Sequence, residues 1–147
     1  MCFTFQKNFI KKGVNNLRVA IVGSREWDDW NVLRQAILLL DKTKDVIISG
    51  GARGVDRMAV WLAKDYGFKI IEHLPDWDKF GRGAGYLRNE EIVADADIVL
   101  AFWDGESRGT LHTITIAEQA SKPCMIYTPG MLPEMEQIES AQNKLQK

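Results

Sequence analysis

The feature that most restricts this chain is a regular exchange between two hydrophobic periods. The apolar runs RVAIVG (18–23), DVIIS (45–49), FKIIEHL (68–74), DIVLAFW (97–103) and PCMIY (123–127) read as strands. Between them, apolar residues recur at three- and four-residue steps. Val55, Met58, Ala59, Leu62, Ala63 and Tyr66 mark the clearest amphipathic helix, which Gly67 ends. Further helices are expected over 32–40, 85–96 and 109–120. Strands that are apolar along their whole length must be covered on both sides. The pattern predicts an α/β domain, a doubly wound, mainly parallel sheet of about five strands with helices on both faces.

With 147 residues, the chain has room for one ordinary domain and not for two. The expected division is an N-terminal extension over 1–16, a domain over 17–130 and a helical tail over 131–147. The net charge of −1 disfavours a protein that coats nucleic acid, because such domains carry a basic excess. Two cysteines, Cys2 and Cys124, suit a reducing cytoplasm better than a disulfide. With only His73 and His112 and no CxxC, no metal site is expected. No apolar run approaches the roughly 18 residues of a membrane span. The N-terminus lacks the apolar core of a signal peptide. A soluble cytoplasmic protein is expected.

The unusual residues gather in the loops that follow the first four strands: GSREW (23–27), SGGARGVD (49–56), DWDKFGRGAGYLRN (76–89) and WDGESRGT (103–110). In an open α/β sheet, ligands bind outside the carboxyl ends of the strands. Gly23, Ser24, Ser49, Gly50, Gly51, Gly54, Gly109 and Thr110 would let backbone N–H groups approach an anion near helix N-termini. Arg25, Arg53, Arg82, Arg88 and Arg108 supply forked donors for phosphate. Trp27, Trp77 and Trp103 offer flat surfaces to a base or sugar. Taken singly, each has a plainer reading: Arg25 as a surface ion pair, Trp77 and Trp103 as packing, Asp56 as a helix anchor, Glu90-Glu91 as a solvated helix start. The absence of Lys-Ser/Thr after GGARGVD disfavours a P-loop engine, and the absence of GxGxxG at the first helix disfavours a dinucleotide dehydrogenase.

These motifs, GSREW, SGGARGVD, the stretch over 76–91 and IVLAFWDGESRGT, resemble the small bacterial and phage proteins of the SLOG superfamily, the SMF/DprA–LOG group, and within it the YspA-like branch. The resemblance runs over about residues 17–127 and implies a modified Rossmann fold that binds a nucleotide or nucleotide derivative, such as a mononucleotide or an ADP-ribose-like ligand. Arg88 matches the upstream arginine of the LOG phosphoribohydrolases, and Gly109 and Thr110 match the GT of their PGGxGTxxE motif; the adjoining Asn89 is a further candidate for ligand binding. The catalytic glutamate of that motif would fall at Thr113, so a nucleotide N-glycosidase is the alternative, with Asp56 or Asp104 as the substitute carboxylate. Glu90 and Glu106 are further substitutes. Single-stranded DNA binding, as in the SMF/DprA branch, is the least favoured reading on net charge. The resemblance also implies a homodimer. No cofactor is expected.

Overall fold

The computed structural model describes residues 16–131. Five strands, β1 (Arg18–Gly23), β2 (Val46–Ser49), β3 (Lys69–Glu72), β4 (Ile98–Phe102) and β5 (Cys124–Tyr127), form one sheet in the order β3-β2-β1-β4-β5. Every pairing is parallel. The helices are α1 (Trp30–Leu38), α2 (Val55–Tyr66), α3 (Trp77–Phe80), α4 (Ala84–Asp95) and α5 (Arg108–Gln119), with a 3₁₀ turn over Gly81–Gly83. The expected extension and tail lie outside the described residues, apart from Asn16 and Met131 at their edges. Among the described residues, no helix is long and apolar enough to cross a membrane.

The two faces of the sheet carry separate cores. Val19, Ile21, Ile98, Leu100 and Phe102 point to one face, where α1 and α2 supply Leu33, Ile37, Val55, Ala59 and Leu62. Ala20, Val22, Val99 and Ala101 point to the other, where α4 and α5 supply Ile92, Val93, Ile114 and Ala117. This is the strand period of two read onto two layers. Each buried Leu or Ile contributes about 1.5–3 kcal/mol. The order places β1 and β4 side by side at the sheet centre, with the chain winding outward from each. The switch point between them is where such sheets bind ligands.

Helix starts follow local capping chemistry. Asp29 caps α1 through Val32 N–H at 3.2 Å, and its other oxygen accepts Gly130 N–H at 2.8 Å, tying the end of the described chain to α1. Ser107 caps α5 through Thr110 N–H at 3.4 Å. The stretch DWDKFGRGAG (76–85), placed by sequence in the loop after the third strand, holds the short α3 and the 3₁₀ turn. Asp76 caps α3 through Lys79 N–H at 3.0 Å. None of the residues in α3 or the turn is buried, so no apolar period announces them.

Candidate ligand site at the sheet switch point

Ser24, fully buried after β1, holds the switch point together. Its N–H donates to the Phe102 carbonyl at 3.0 Å, and its carbonyl accepts Val55 N–H at 3.4 Å. Its hydroxyl accepts Asp104 N–H at 3.1 Å. One residue thereby joins the loops after β1 and β4 to the head of α2. In the loop after β2, the Ser49 hydroxyl donates to the Asp56 carbonyl at 3.3 Å and accepts Gly51 N–H at 3.4 Å. Asp56 Oδ2 accepts Ala52 N–H at 3.1 Å. In the loop after β4, Asp104 Oδ1 accepts Glu106 and Ser107 N–H, each at 2.9 Å, and the Trp103 indole donates to the Ser107 carbonyl at 3.1 Å.

These loops surround a cavity of about 390 Å³. Its floor is Val22 and Gly23 at the end of β1. One wall is Ala52 and Asp56 with Arg25. A second is Trp77, Arg82, Gly85, Tyr86, Arg88, Asn89 and Ile92, from α3 through α4. The third is the first turn of α5, from Ser107 to Thr110, with Thr113 behind it. Four arginines and one carboxylate therefore line it among the described residues. Arg25, Arg82 and Arg108 are exposed and free to meet a ligand, whereas Arg88 is buried. The Arg88 Nε donates to Asn89 Oδ1 at 3.1 Å, and its Nη1 donates to the Gly50 carbonyl.

Burial pushes the Asp56 carboxyl up to about 6, against the opposing pull of Ala52 N–H, Arg88 and Arg25. Burial also lowers the Arg88 guanidinium, with Asp56 working the other way. Asp104 is held below the ordinary carboxylate range by the Glu106 and Ser107 N–H groups. The two aspartates considered as catalytic substitutes thus occupy opposite environments. Asp56 is a buried acid facing the cavity, and Asp104 is an exposed carboxylate folded into its own turn.

Of the residues singled out in the sequence, the structure brings Gly23, Arg25, Asp56, Trp77, Arg82, Arg88, Asn89, Arg108, Gly109 and Thr110 together at the cavity. Ser24, Ser49, Gly50, Gly51, Arg53, Gly54, Trp103 and Asp104 stand outside its lining and build the loops behind it. Trp27 is a core residue, packed edge-on to Phe102 at 5.6 Å with its indole N–H on the Asp29 carbonyl. Thr113 lines the cavity, and its hydroxyl donates to the Gly109 carbonyl at 3.2 Å within its own helix. Tyr86 and Ser107 also line the cavity. Tyr86 falls in the helix expected over 85–96, and Ser107 stands inside WDGESRGT with no role assigned to it. A serine before Arg-Gly-Thr and an apolar run was the available cap signal for the second.

An all-parallel sheet with an arginine-lined cavity at its switch point defines a Rossmann-like domain of the α/β class. Residues 17–80 match the YspA, cpYpsA-related SLOG family. A 116-residue stretch is 40% identical to the Gene 61 protein of Mycobacterium phage D29, covering 72% of this chain and 92% of that one. The chain belongs to this SLOG family. Among solved structures, DNA processing protein A of Streptococcus pneumoniae shares the fold with a TM-score of 0.63 and 20% identity, over 86% of this chain and 54% of that one. The chain therefore spans about half the length of that protein. DNA processing protein A of Helicobacter pylori, whose structure describes a single-stranded DNA binding mode, gives a TM-score of 0.60 and 20% identity, over 87% of this chain and 74% of that one.

The last similarity corrects one expectation. Net charge argued against a nucleic-acid partner, yet the neighbours in fold are DNA processing proteins, one with a described single-stranded DNA binding mode. The physical reason is that overall charge averages over the whole surface. Four arginines facing one carboxylate make the cavity locally basic in a chain whose sum is −1.

Proposed function

We propose that the protein binds a phosphate-bearing nucleotide in the cavity at the switch between β1 and β4. The observation that carries this reading is the convergence there of Arg25, Arg82, Arg88 and Arg108 on the open first turn of α5. The early N–H groups of a helix have no partners within it and favour an anion. Arg108 within that turn and Arg88 on the neighbouring wall supply charge-assisted donors. Trp77 and Tyr86, both half-exposed on the opposite wall, offer apolar faces to a base or sugar. The volume suits one nucleotide unit.

A second reading is that this unit belongs to single-stranded DNA. The likeness in fold to the Helicobacter pylori protein favours it. In this form the arginines take backbone phosphates, and Trp77 or Tyr86 stacks on a base.

Mass spectrometry of small molecules released on denaturation, alongside titration with nucleoside monophosphates, ADP-ribose and a short single-stranded oligonucleotide, tests both. Tight binding of a free nucleotide supports the first reading. Oligonucleotide binding that weakens steeply with salt, without binding of free nucleotides, supports the second. Absence of every one of these ends both. Release of free base during incubation would make the site hydrolytic, with Asp56 as the acid that faces the ligand.

A further inference from the structure

Arg88 can only donate hydrogen bonds, and this fixes more than its own position. Its Nε donates to Asn89 Oδ1 at 3.1 Å, which determines which way the Asn89 amide faces. With Oδ1 turned to Arg88, the amide nitrogen faces α5. It lies 3.2 Å from His112 Nδ1 and 3.5 Å from the Gly109 carbonyl. An amide NH₂ cannot accept, so His112 Nδ1 must carry the lone pair and the ring proton must sit on Nε2. A proton on Nδ1 would set donor against donor. Turning the amide over would only move that conflict to Arg88. Both Arg88 and Asn89 are buried, so water does not readily relieve such a mismatch. The Tyr86 ring packs edge-to-face on the imidazole at 4.6 Å and restricts its plane.

We propose that Asn89 and His112 are positioning residues for Arg88, acting as a relay in which the Nε2–H tautomer of His112 orients the Asn89 amide and the amide holds the guanidinium at the cavity wall. The relay couples α4 to α5, through His112 in its second turn and the Gly109 carbonyl in its first, the two sides between which the phosphate would lie. Its consequence for binding rests on the phosphate reading of the cavity, whereas the tautomer does not.

Nitrogen-15 NMR of the histidine rings in the full chain tests the tautomer, with His112 assigned from the spectrum of His112→Ala. The expected result is an unprotonated Nδ1 and a protonated Nε2 at His112. In Asn89→Asp, a side chain of the same shape becomes an acceptor on both sides, so a proton should appear on His112 Nδ1. A protonated or freely exchanging Nδ1 in the wild type, or a His112 spectrum unmoved by Asn89→Asp, overturns the relay. Titration with adenosine 5′-monophosphate tests its effect. Loss of one neutral hydrogen bond from the relay predicts binding weakened about tenfold in His112→Ala, with Arg88 still present. Wild-type affinity in that variant overturns the positioning role. If the wild type does not bind this nucleotide, the mononucleotide form of the phosphate reading fails, and the NMR result alone decides whether the relay exists.

Discussion

The loops after β2 and β4 look alike in sequence and are built for different tasks. Each runs from a strand into the head of a helix and carries glycines, an arginine and an aspartate: GGARGVD in one, WDGESRG in the other. In the first, neighbours press on the glycines. A Cβ on Gly50 would lie 2.7 Å from the Arg88 guanidinium, and one on Gly54 would lie 2.4 Å from the Ser24 carbonyl. In the second, a Cβ on Gly109 would meet nothing within 4 Å, because the cavity is in front of it. The same residue type serves close packing behind the site in one loop and open access in the other. Glycine after a strand is therefore no measure of ligand contact until its neighbours are known.

The largest expected effect comes from exchanging those roles. Gly54→Ala forces a side chain into backbone at a φ of 79°, where the neighbouring Ser24 and Arg25 backbone cannot give way. A loss of about 3 kcal/mol or more in chemical denaturation is expected. Gly109→Ala lies in the first turn of a helix with space around it. It should stabilise by about 0.5–1 kcal/mol. Equal losses at both positions would erase the distinction between the loops.

The aspartates sharpen the same contrast through pH. With Asp56 raised to about 6, the folded protein keeps a proton that the unfolded chain releases near pH 4. The contribution of Asp56 to stability is therefore fullest below about pH 4 and declines as pH rises through about 6, by roughly 2–3 kcal/mol in all. Asp56→Asn retains an acceptor for Ala52 N–H and removes the titration. Its advantage over the wild type should grow between pH 4 and pH 7 in denaturation measured across that range. Asp104 is shifted down, so its contribution is present above the unfolded value and is lost only below about pH 4. Asp104→Asn should show no trend in the same window. A parallel pair of curves would place both carboxylates in one environment.

Binding provides the next test. Arg108 is an exposed member of the cavity wall at the head of α5. Arg108→Met should weaken a phosphate-bearing ligand about tenfold or more, with little change in stability, when affinity is measured by calorimetry.

Much of the architecture was legible because hydrophobic period is local. The strand at 98–102 and the helix at 55–66 could be found from their own residues, within a residue or two of the observed ends. That a cavity would lie among the loops after the strands was legible for a topological reason, since a parallel sheet gathers those loops on one edge. The cavity lining was not, because it depends on contacts between distant segments. Ser24 is fastened by Asp104, eighty positions away. Gly50 is pressed by Arg88, thirty-eight positions away. Trp27 looks like its counterparts Trp77 and Trp103 in sequence, yet it lies 4% exposed against Phe102 while Trp77 stands 52% exposed at the cavity. Helical period could not find α3, whose four residues bury nothing.

The smallest effect is expected at Arg53, the arginine of the first loop. It lies outside the cavity lining and pairs with Glu26 at 3.0 Å, with both side chains mostly exposed. Solvent screening and side-chain entropy leave such a pair worth under about 0.5 kcal/mol. Arg53→Met should therefore leave both stability and nucleotide affinity near wild type, and salt should not alter that result. The comparison with Arg108→Met is the sharpest one available, because Arg53 precedes the cap of α2 outside the cavity lining while Arg108 opens α5 at the cavity wall. If Arg53→Met weakened binding as much as Arg108→Met, the ligand would have to extend beyond the cavity onto the head of α2. A longer, multi-phosphate strand would then fit the arginines better than a single nucleotide unit.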